Sequence, residues 1–433
     1  MTTPSTTRTA GRRTRRRPRA AAVLALSLTL AGACSDAVDR LLTVTTPSRL
    51  ADDKFLVPEN AGLIVSSAVA DFECAYGAYV VVSGLASGEL TDASQTAARW
   101  SYDRRDVLPV EATYSTSTCA ALGVYTPIST ARFTADQALA RLGGWTDQQV
   151  PNRARLMATA ALYAGYSYIL LAEGFCSAAV SAGPEMQTPQ VLDSAEARFT
   201  RAIALATAPA DSTTLRAAYV GRARARLGKG ARAGAAEDAA RVPTGFVLNA
   251  TADNLAARRN NRVFEQNNSI ASGVTVAPAY RALTVGGAPD PRVRITDQNR
   301  PSGDQINRWF SQNKYTSLTA SIPIATGVEA RLIEAEARGG AEGAAIVNAL
   351  RTRAGVALPA LTAAEAASFQ ATVLEERRRE LFLQGTRWFD VRRANLPLEP
   401  ATGSAYPKGG VYGSQRCWPL PDVERAANPT IGG

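Results

Sequence analysis

The 433-residue sequence contains no histidine. That absence removes the commonest general base, the Ser-His and Cys-His nucleophile pairs, and every metal site that uses imidazole. A catalytic reading would have to rest on carboxylates, lysine, tyrosine or a Ser-Lys pair. Cysteine is sparse, with five residues, and no two lie close enough in sequence for a thiolate metal site. No loop has the ligand spacing of an EF-hand, so Asp103, Asp106 and Asp290 receive no calcium assignment. Neither metal nor cofactor is expected. Acidic residues are missing from the first 33 positions, which hold seven arginines (Arg8, Arg12, Arg13, Arg15, Arg16, Arg17, Arg19). These supply seven of the ten net positive charges. The basic balance therefore belongs to the leader and points to no nucleic-acid partner.

Arg12 to Arg19 form a cationic n-region, and residues 20–31 form an apolar run too short for a permanent membrane span. Gly32, Ala33 and Cys34 follow. Residues 1–33 resemble a bacterial lipoprotein signal, after which Cys34 is lipidated and becomes the first mature residue. The position three before the cysteine is Ala31 rather than a large aliphatic, with Leu30 one place further out. An ordinary cleaved signal peptide is the simpler alternative. A multiply acylated cysteine would anchor the chain stably, and Ser35 in place of Asp resembles outer-membrane sorting. Cys74, Cys119, Cys176 and Cys417 remain. An exported chain with four cysteines can form two disulfides. Three pairings are open, as are four buried thiols.

The mature chain reads as mainly helical. Pro58–Val82 has helical apolar spacing, and Ser87–Asp92 reads as a polar loop. Ser94–Tyr114 is irregular. Tyr125–Leu142 is helical and stops at Gly143-Gly144. Arg153–Glu173 is the clearest helix of this half. It is uncharged from 156 to 172, but its alanines and hydroxyls suit close packing better than lipid. Ser194–Ala206, Leu215–Leu227 and Ala231–Arg241 complete a run of helices with short breaks. The period suggests a tetratricopeptide-like helical repeat over about 58–241. Residues 245–320 are rich in Asn, Gly and Pro and read as a loop-rich segment with short strands, the kind of segment that carries binding surfaces. Helices resume at Val328–Arg338 and Ala341–Arg353. Thr362 and Glu365 form a capping box for a helix running into the next stretch, with Gly385 at its end.

That stretch, Leu374 to Arg393, mixes six arginines and four acids with Leu, Phe and Trp. Glu376 and Glu380 share a helix face and, with Asp390, could form a glycosidase-like acid/base set. The arginines argue against it. Arg377, Arg379, Arg387, Arg392 and Arg393 would keep these carboxylates ionised, whereas a general acid needs a raised pKa. The expectation is a structural ion-pair network.

The C-terminal third also carries an ordered set of motifs: Asp290-Pro291-Arg292, Lys314-Tyr315, Ile322-Pro323-Ile324, Glu329 to Ala337, Asn348 to Gly355, Glu376 to Leu381, Gly385 to Arg393, Pro419-Leu420-Pro421, and Asn428-Pro429. This set resembles the SusD/RagB family of outer-membrane nutrient-binding lipoproteins. Gln384 departs from the family pattern, which has Glu there, and Thr326-Gly327 replaces an Arg-containing step. The resemblance implies an all-α fold over 34–433 with the family motifs at about 322–430. It implies a surface-exposed, lipid-anchored protein with no catalytic activity. It further implies a partner, a SusC-like TonB-dependent outer-membrane transporter, to which an oligosaccharide or other nutrient is passed.

Sugar binding needs an aromatic platform beside amide or carboxylate groups. Outside the regular helices the ligand-binding candidates are Trp100, Tyr102, Asp103, Trp309 and Asn307. Trp145, Tyr280, Phe310 and Gln312 form a wider circle. Structural packing is the ordinary alternative for each, and Trp388 and Trp418 are assigned to the core. Two other functions stay open. One is a helical-repeat scaffold for protein partners, marked by a long empty groove. The other is a carboxylate-based glycan hydrolase, marked by two carboxylates in an open cleft without arginine partners.

Overall fold

Helix α1 (Ala61–Ala86) is the axis on which the described fold is assembled. The computed structural model describes residues 55–269 and 272–431; the leader and Cys34 lie outside the described residues. From Phe72 to Ala86 every residue of α1 is buried. A helix buried all round carries no polar stripe, which is why α1 is apolar on all faces. It is long and apolar enough to cross a membrane, but protein takes the place of lipid around it.

Helices α2 (Tyr125–Gly143), α3 (Arg153–Gly174), α4 (Thr188–Leu205), α5 (Ser212–Gly228) and α6 (Arg232–Ala240) follow. α1 packs on α2 and α3, and each later helix packs on the one before it. This is the helical-repeat region read from the periodicity. Its close spacing depends on small residues facing Phe199 of α4. The Phe199 ring fits between Gly165 of α3 and Gly221 of α5, where an added Cβ would lie 2.7 Å and 2.3 Å from ring atoms. Tyr166 meets the same ring edge-on at 4.9 Å.

The loop-rich segment forms short antiparallel pairs around α7 (Arg262–Asn268). β1 (Leu90–Asp92) pairs with β3 (Val274–Val276), with Thr91 opposite Thr275. β2 (Val247–Ala250) pairs with β6 (Ile322–Thr326), and β4 (Ile295–Pro301) pairs with β5 (Arg308–Gln312). The Thr275 hydroxyl joins β3 to β5: it donates to the Arg308 carbonyl (2.9 Å) and accepts the Phe310 N–H (2.8 Å). After β6 come α8 (Gly327–Arg338), α9 (Gly340–Thr352), α10 (Phe369–Glu380) and α11 (Arg387–Arg393).

Several expectations need correction. Ser87–Asp92 is not a polar loop. Leu90–Asp92 is a buried strand, because its polar groups find partners across the pair with β3. Ser94–Tyr114 contains short helices at Trp100–Arg104 and Ala112–Ser115. The capping box at Thr362 and Glu365 forms, but its helix stops at Ala367, and α10 starts anew at Phe369. Gly385 is not the residue that ends α10, which closes at Glu380. Instead Gly385 (φ +74°) turns the chain beside the Tyr79 ring, 3.2 Å from where a Cβ would stand.

Two disulfides form, Cys74–Cys119 and Cys176–Cys417. The first ties α1 to the turn at Cys119–Ala121. The second ties the end of α3 to the C-terminal segment, where Trp418 stacks on Trp388 (6.1 Å) in the core. A crosslink spanning 241 residues removes much chain entropy from the unfolded state, a stabilisation of about 2–5 kcal/mol.

The glycine contacts give a direct test. Gly221→Ala forces a methyl into the Phe199 ring and is expected to destabilise the fold by about 1–3 kcal/mol. Chemical denaturation measures it, and an unchanged midpoint would mean the helices separate without cost.

Candidate ligand-binding site

The charged stretch is a buried clamp. Arg292, from the loop-rich segment, donates to Asp290 (2.8 Å), Glu376 (2.6 Å) and Glu380 (3.3 Å). Arg351 bridges Glu365 (2.7 Å) and Glu376 (2.8 Å), and Arg353 holds Glu380 (2.7 Å). Asp390 sits between Arg377 (2.9 Å) and Arg393 (2.7 Å), and Arg393 also holds Glu336. The network exists as expected, but its cations partly differ. Glu376 and Glu380 are neutralised by Arg292, Arg351 and Arg353. Arg392 instead donates to the carbonyls of Ala172 and Phe175, and Arg379 pairs with Glu375 and Asp290.

A cavity of about 550 Å³ beside this clamp has Glu365, Glu375 and the buried Glu376 in its lining. Each is paired with an arginine. The Arg351 guanidinium, with the Thr362 amide, holds the Glu365 carboxyl down to about 2 despite partial burial. Burial alone would raise Asp290, yet hydrogen bonds from Arg292 hold it at about 2. Burial would likewise raise Asp390, and Arg377 and Arg393 keep it below the usual carboxylate range. Such groups cannot serve as general acids near neutral pH.

The sequence-selected aromatics and amides gather elsewhere, where three loops meet. Lys408, whose side chain is 2% exposed, is the pin. Its Nζ donates to the Asp92 carboxylate (2.6 Å), the Asp92 carbonyl (2.8 Å) and the Ser94 carbonyl (2.8 Å). These use all three ammonium hydrogens. The Asp304 carboxylate lies 3.4 Å away. Asn307 donates to Asp304 (2.6 Å) and to the Asp92 carbonyl (3.4 Å), and Gln95 donates to the Gly303 carbonyl (3.2 Å). The Trp100 ring lies over Lys408, 5.2 Å from Nζ, and its indole N–H is satisfied by the Ser94 carbonyl.

Of the five candidates, Trp100 and Asn307 are half-buried at this junction. Trp309 is 7% exposed, donates to the Asn267 carbonyl (2.7 Å) and is capped by the Arg300 guanidinium at 4.0 Å. Tyr102 and Asp103 are each 1% exposed and offer no surface to a ligand. Tyr102 donates to the Leu122 carbonyl and packs edge-on against Trp418. Asp103 accepts the Asp92 N–H (2.9 Å) from below the junction. Burial, with the neighbouring Asp92 charge, pushes the Asp103 carboxyl up to about 8. In the wider circle Tyr280 is core, stacked on Phe382 at 5.0 Å, and Gln312 is buried, bonded to Asn268 and Tyr315. Sequence reasoning missed Lys408, Asp92 and Asp304. One signal was available: the chain has only four lysines among 48 basic residues. A lysine kept in an arginine-rich chain marks a place that needs a compact point charge.

Residues 328–428 match the family model described as the SusD family. The fold matches solved structures across most of the chain. A SusD-like carbohydrate binding protein from Bacteroides vulgatus aligns with a TM-score of 0.66 at 15% identity, covering 87% of this chain and 97% of that one. Residues 328–428 are a SusD-family segment, and the chain around them has the SusD-like fold. Surface glycan-binding protein A from Bacteroides thetaiotaomicron, in complex with laminarihexaose, aligns with a TM-score of 0.66 at 13% identity, covering 86% and 98%. A laminarin binding SusD-like protein aligns with a TM-score of 0.61 at 16% identity, covering 84% and 96%. No curated protein sequence matches the chain. SusD-family proteins are non-catalytic binding proteins, in keeping with carboxylates that are all neutralised around the 550 Å³ cavity.

Two pH effects follow, with opposite signs. Asp290 and Glu365 have folded values near 2, below ordinary values of about 3.9 and 4.3. The stability they contribute is present above about pH 4 and is lost as pH falls toward about 2. Urea melts from pH 5 to 2 should show this loss, and Glu365→Gln should flatten it. Asp103 is raised to about 8 from about 3.9. Its stabilisation is fully present below about pH 4 and is lost as pH rises to about 8. Wild type should therefore lose stability relative to Asp103→Asn between pH 4 and 8, with the difference levelling above that. A constant difference across the range would contradict the assignment.

Proposed function

We propose that this chain is a cell-surface lipoprotein, anchored through Cys34, that captures an oligosaccharide and passes it to a SusC-like TonB-dependent outer-membrane transporter. The observation that carries the reading is the loop junction pinned by Lys408. It presents a partly exposed Trp100 ring near the exposed Gln95 amide, with the half-buried Asn307 amide at the same junction. Sugar C–H faces stack on indole, and amides supply both donors and acceptors to hydroxyls. A junction held by buried hydrogen bonds keeps these groups in place before ligand arrives, which lowers the ordering cost of binding. Two solved proteins of the same fold are described with laminarin or laminarihexaose, so β-glucan oligosaccharides are the first ligands to try. The lipid anchor and the transporter partner rest on the leader and on the SusD-family segment.

The test is calorimetric titration of the full chain in detergent with laminarihexaose and a panel of other oligosaccharides. Trp100→Ala should weaken binding of the ligand found by about tenfold, with an unchanged far-UV spectrum. Wild-type affinity in the variant would remove Trp100 from the site. Binding to no glycan would favour the helical-repeat scaffold instead.

A further inference from the structure

A second cavity, of about 350 Å³, lies between the loop at Thr244–Val247 and the start of α8. It shares no residue with the Lys408 junction. Its charged lining is unbalanced: Arg292, Arg294, Lys314 and Arg353 face a single carboxylate, Glu380. Glu380 is already held by Arg353 (2.7 Å) and Arg292 (3.3 Å). Arg292 is saturated by Asp290 and Glu376 as well.

Two cations are left over. Arg294 is exposed and pairs with no carboxylate among the described residues. Lys314 donates to the Phe382 carbonyl (2.6 Å), which leaves two ammonium hydrogens unused. Burial lowers the Lys314 ammonium to about 8 even with the Glu89 and Glu380 carboxylates in its neighbourhood, so it stays charged at neutral pH, and no carboxylate among the described residues makes a direct ion pair with it. Gln384 also lines the cavity, is neutral and adds an amide. Thr326 and Val328 place the first turn of α8, the positive end of its dipole, on the same wall.

We propose that this cavity binds a small hydroxylated ligand through an oxyanion, with the sugar-acid carboxylate the best fit. Arg294 supplies a planar fork that matches a carboxylate bidentately, and Lys314 supplies a point charge from a second direction. The volume is that of a small-molecule pocket rather than of a bare ion. Gln384 and Thr326 suit hydroxyls on the body of the ligand.

The experiment is titration of the full chain in detergent, at low salt, with galacturonate, galactose and inorganic phosphate. Galacturonate should bind and galactose should not. Arg294→Ala should weaken galacturonate about tenfold. Arg201→Ala, which removes an exposed arginine from α4 and so controls for net charge, should leave it unchanged. Tighter binding of galacturonate than of phosphate identifies a sugar acid as the ligand, and equal binding identifies a free oxyanion. Both support the site. Equal affinity for galactose, wild-type affinity in Arg294→Ala, equal loss in both variants, or no binding of either anion would overturn it. Trp100→Ala should leave galacturonate affinity intact, so this outcome and the fate of the glycan reading are separable.

Discussion

The described fold depends on charge neutralised in its interior. Arg292 reaches from the loop-rich segment into the helical C-terminal part and holds three carboxylates at once. Neither side can bury its charges without the other: an unpaired buried ion costs several kcal/mol, and removing one partner of a buried pair costs about 3–5 kcal/mol. The loop-rich segment is thereby fixed to α10. A second buried set repeats the device in the repeat region, where Arg224 of α5 holds Glu173 of α3 and lies 3.4 Å from Glu329 of α8. Burial raises Glu329 above the usual carboxylate range even with Arg224 nearby.

Around these fixed points the irregular segments can be long without being loose. α1 runs through the middle of the fold, and Cys74–Cys119 and Cys176–Cys417 close distant loops onto the helices. Lys408 then draws three loops together by satisfying carbonyls that burial would otherwise leave unpaired. The Trp100 surface is a by-product of that satisfaction. A rigid scaffold with a surface made by its connections is the arrangement that lets one fold present different ligand surfaces.

How much of this was legible in sequence varied with the range of the interaction. The helices α2 to α6 follow from local apolar periodicity, and their limits fall within three residues of expectation except at the start of α4, which begins at Thr188, six residues before the expected Ser194. The strand at Leu90–Asp92 was not legible, because its partner Val274–Val276 lies far along the chain. The motifs from Asp290 to Asn428 announced the family. They did not reveal that Arg292, rather than the arginines of the stretch itself, neutralises Glu376. At the ligand site, composition drew attention to Trp100 and Trp309 but could not separate them from Tyr102. All three are aromatics in irregular segments, and only packing shows that Tyr102 lies against Trp418.

By itself the sequence determined the absence of histidine chemistry, the helical periods, the family motifs and the presence of four cysteines after Cys34. These are properties of neighbours along the chain or of composition, and folding does not change them. Tertiary structure alone decided which cysteines pair, which arginine meets which carboxylate, and which aromatic keeps an open face. Those outcomes depend on distances between residues tens to hundreds of positions apart, set by burial of one shared core.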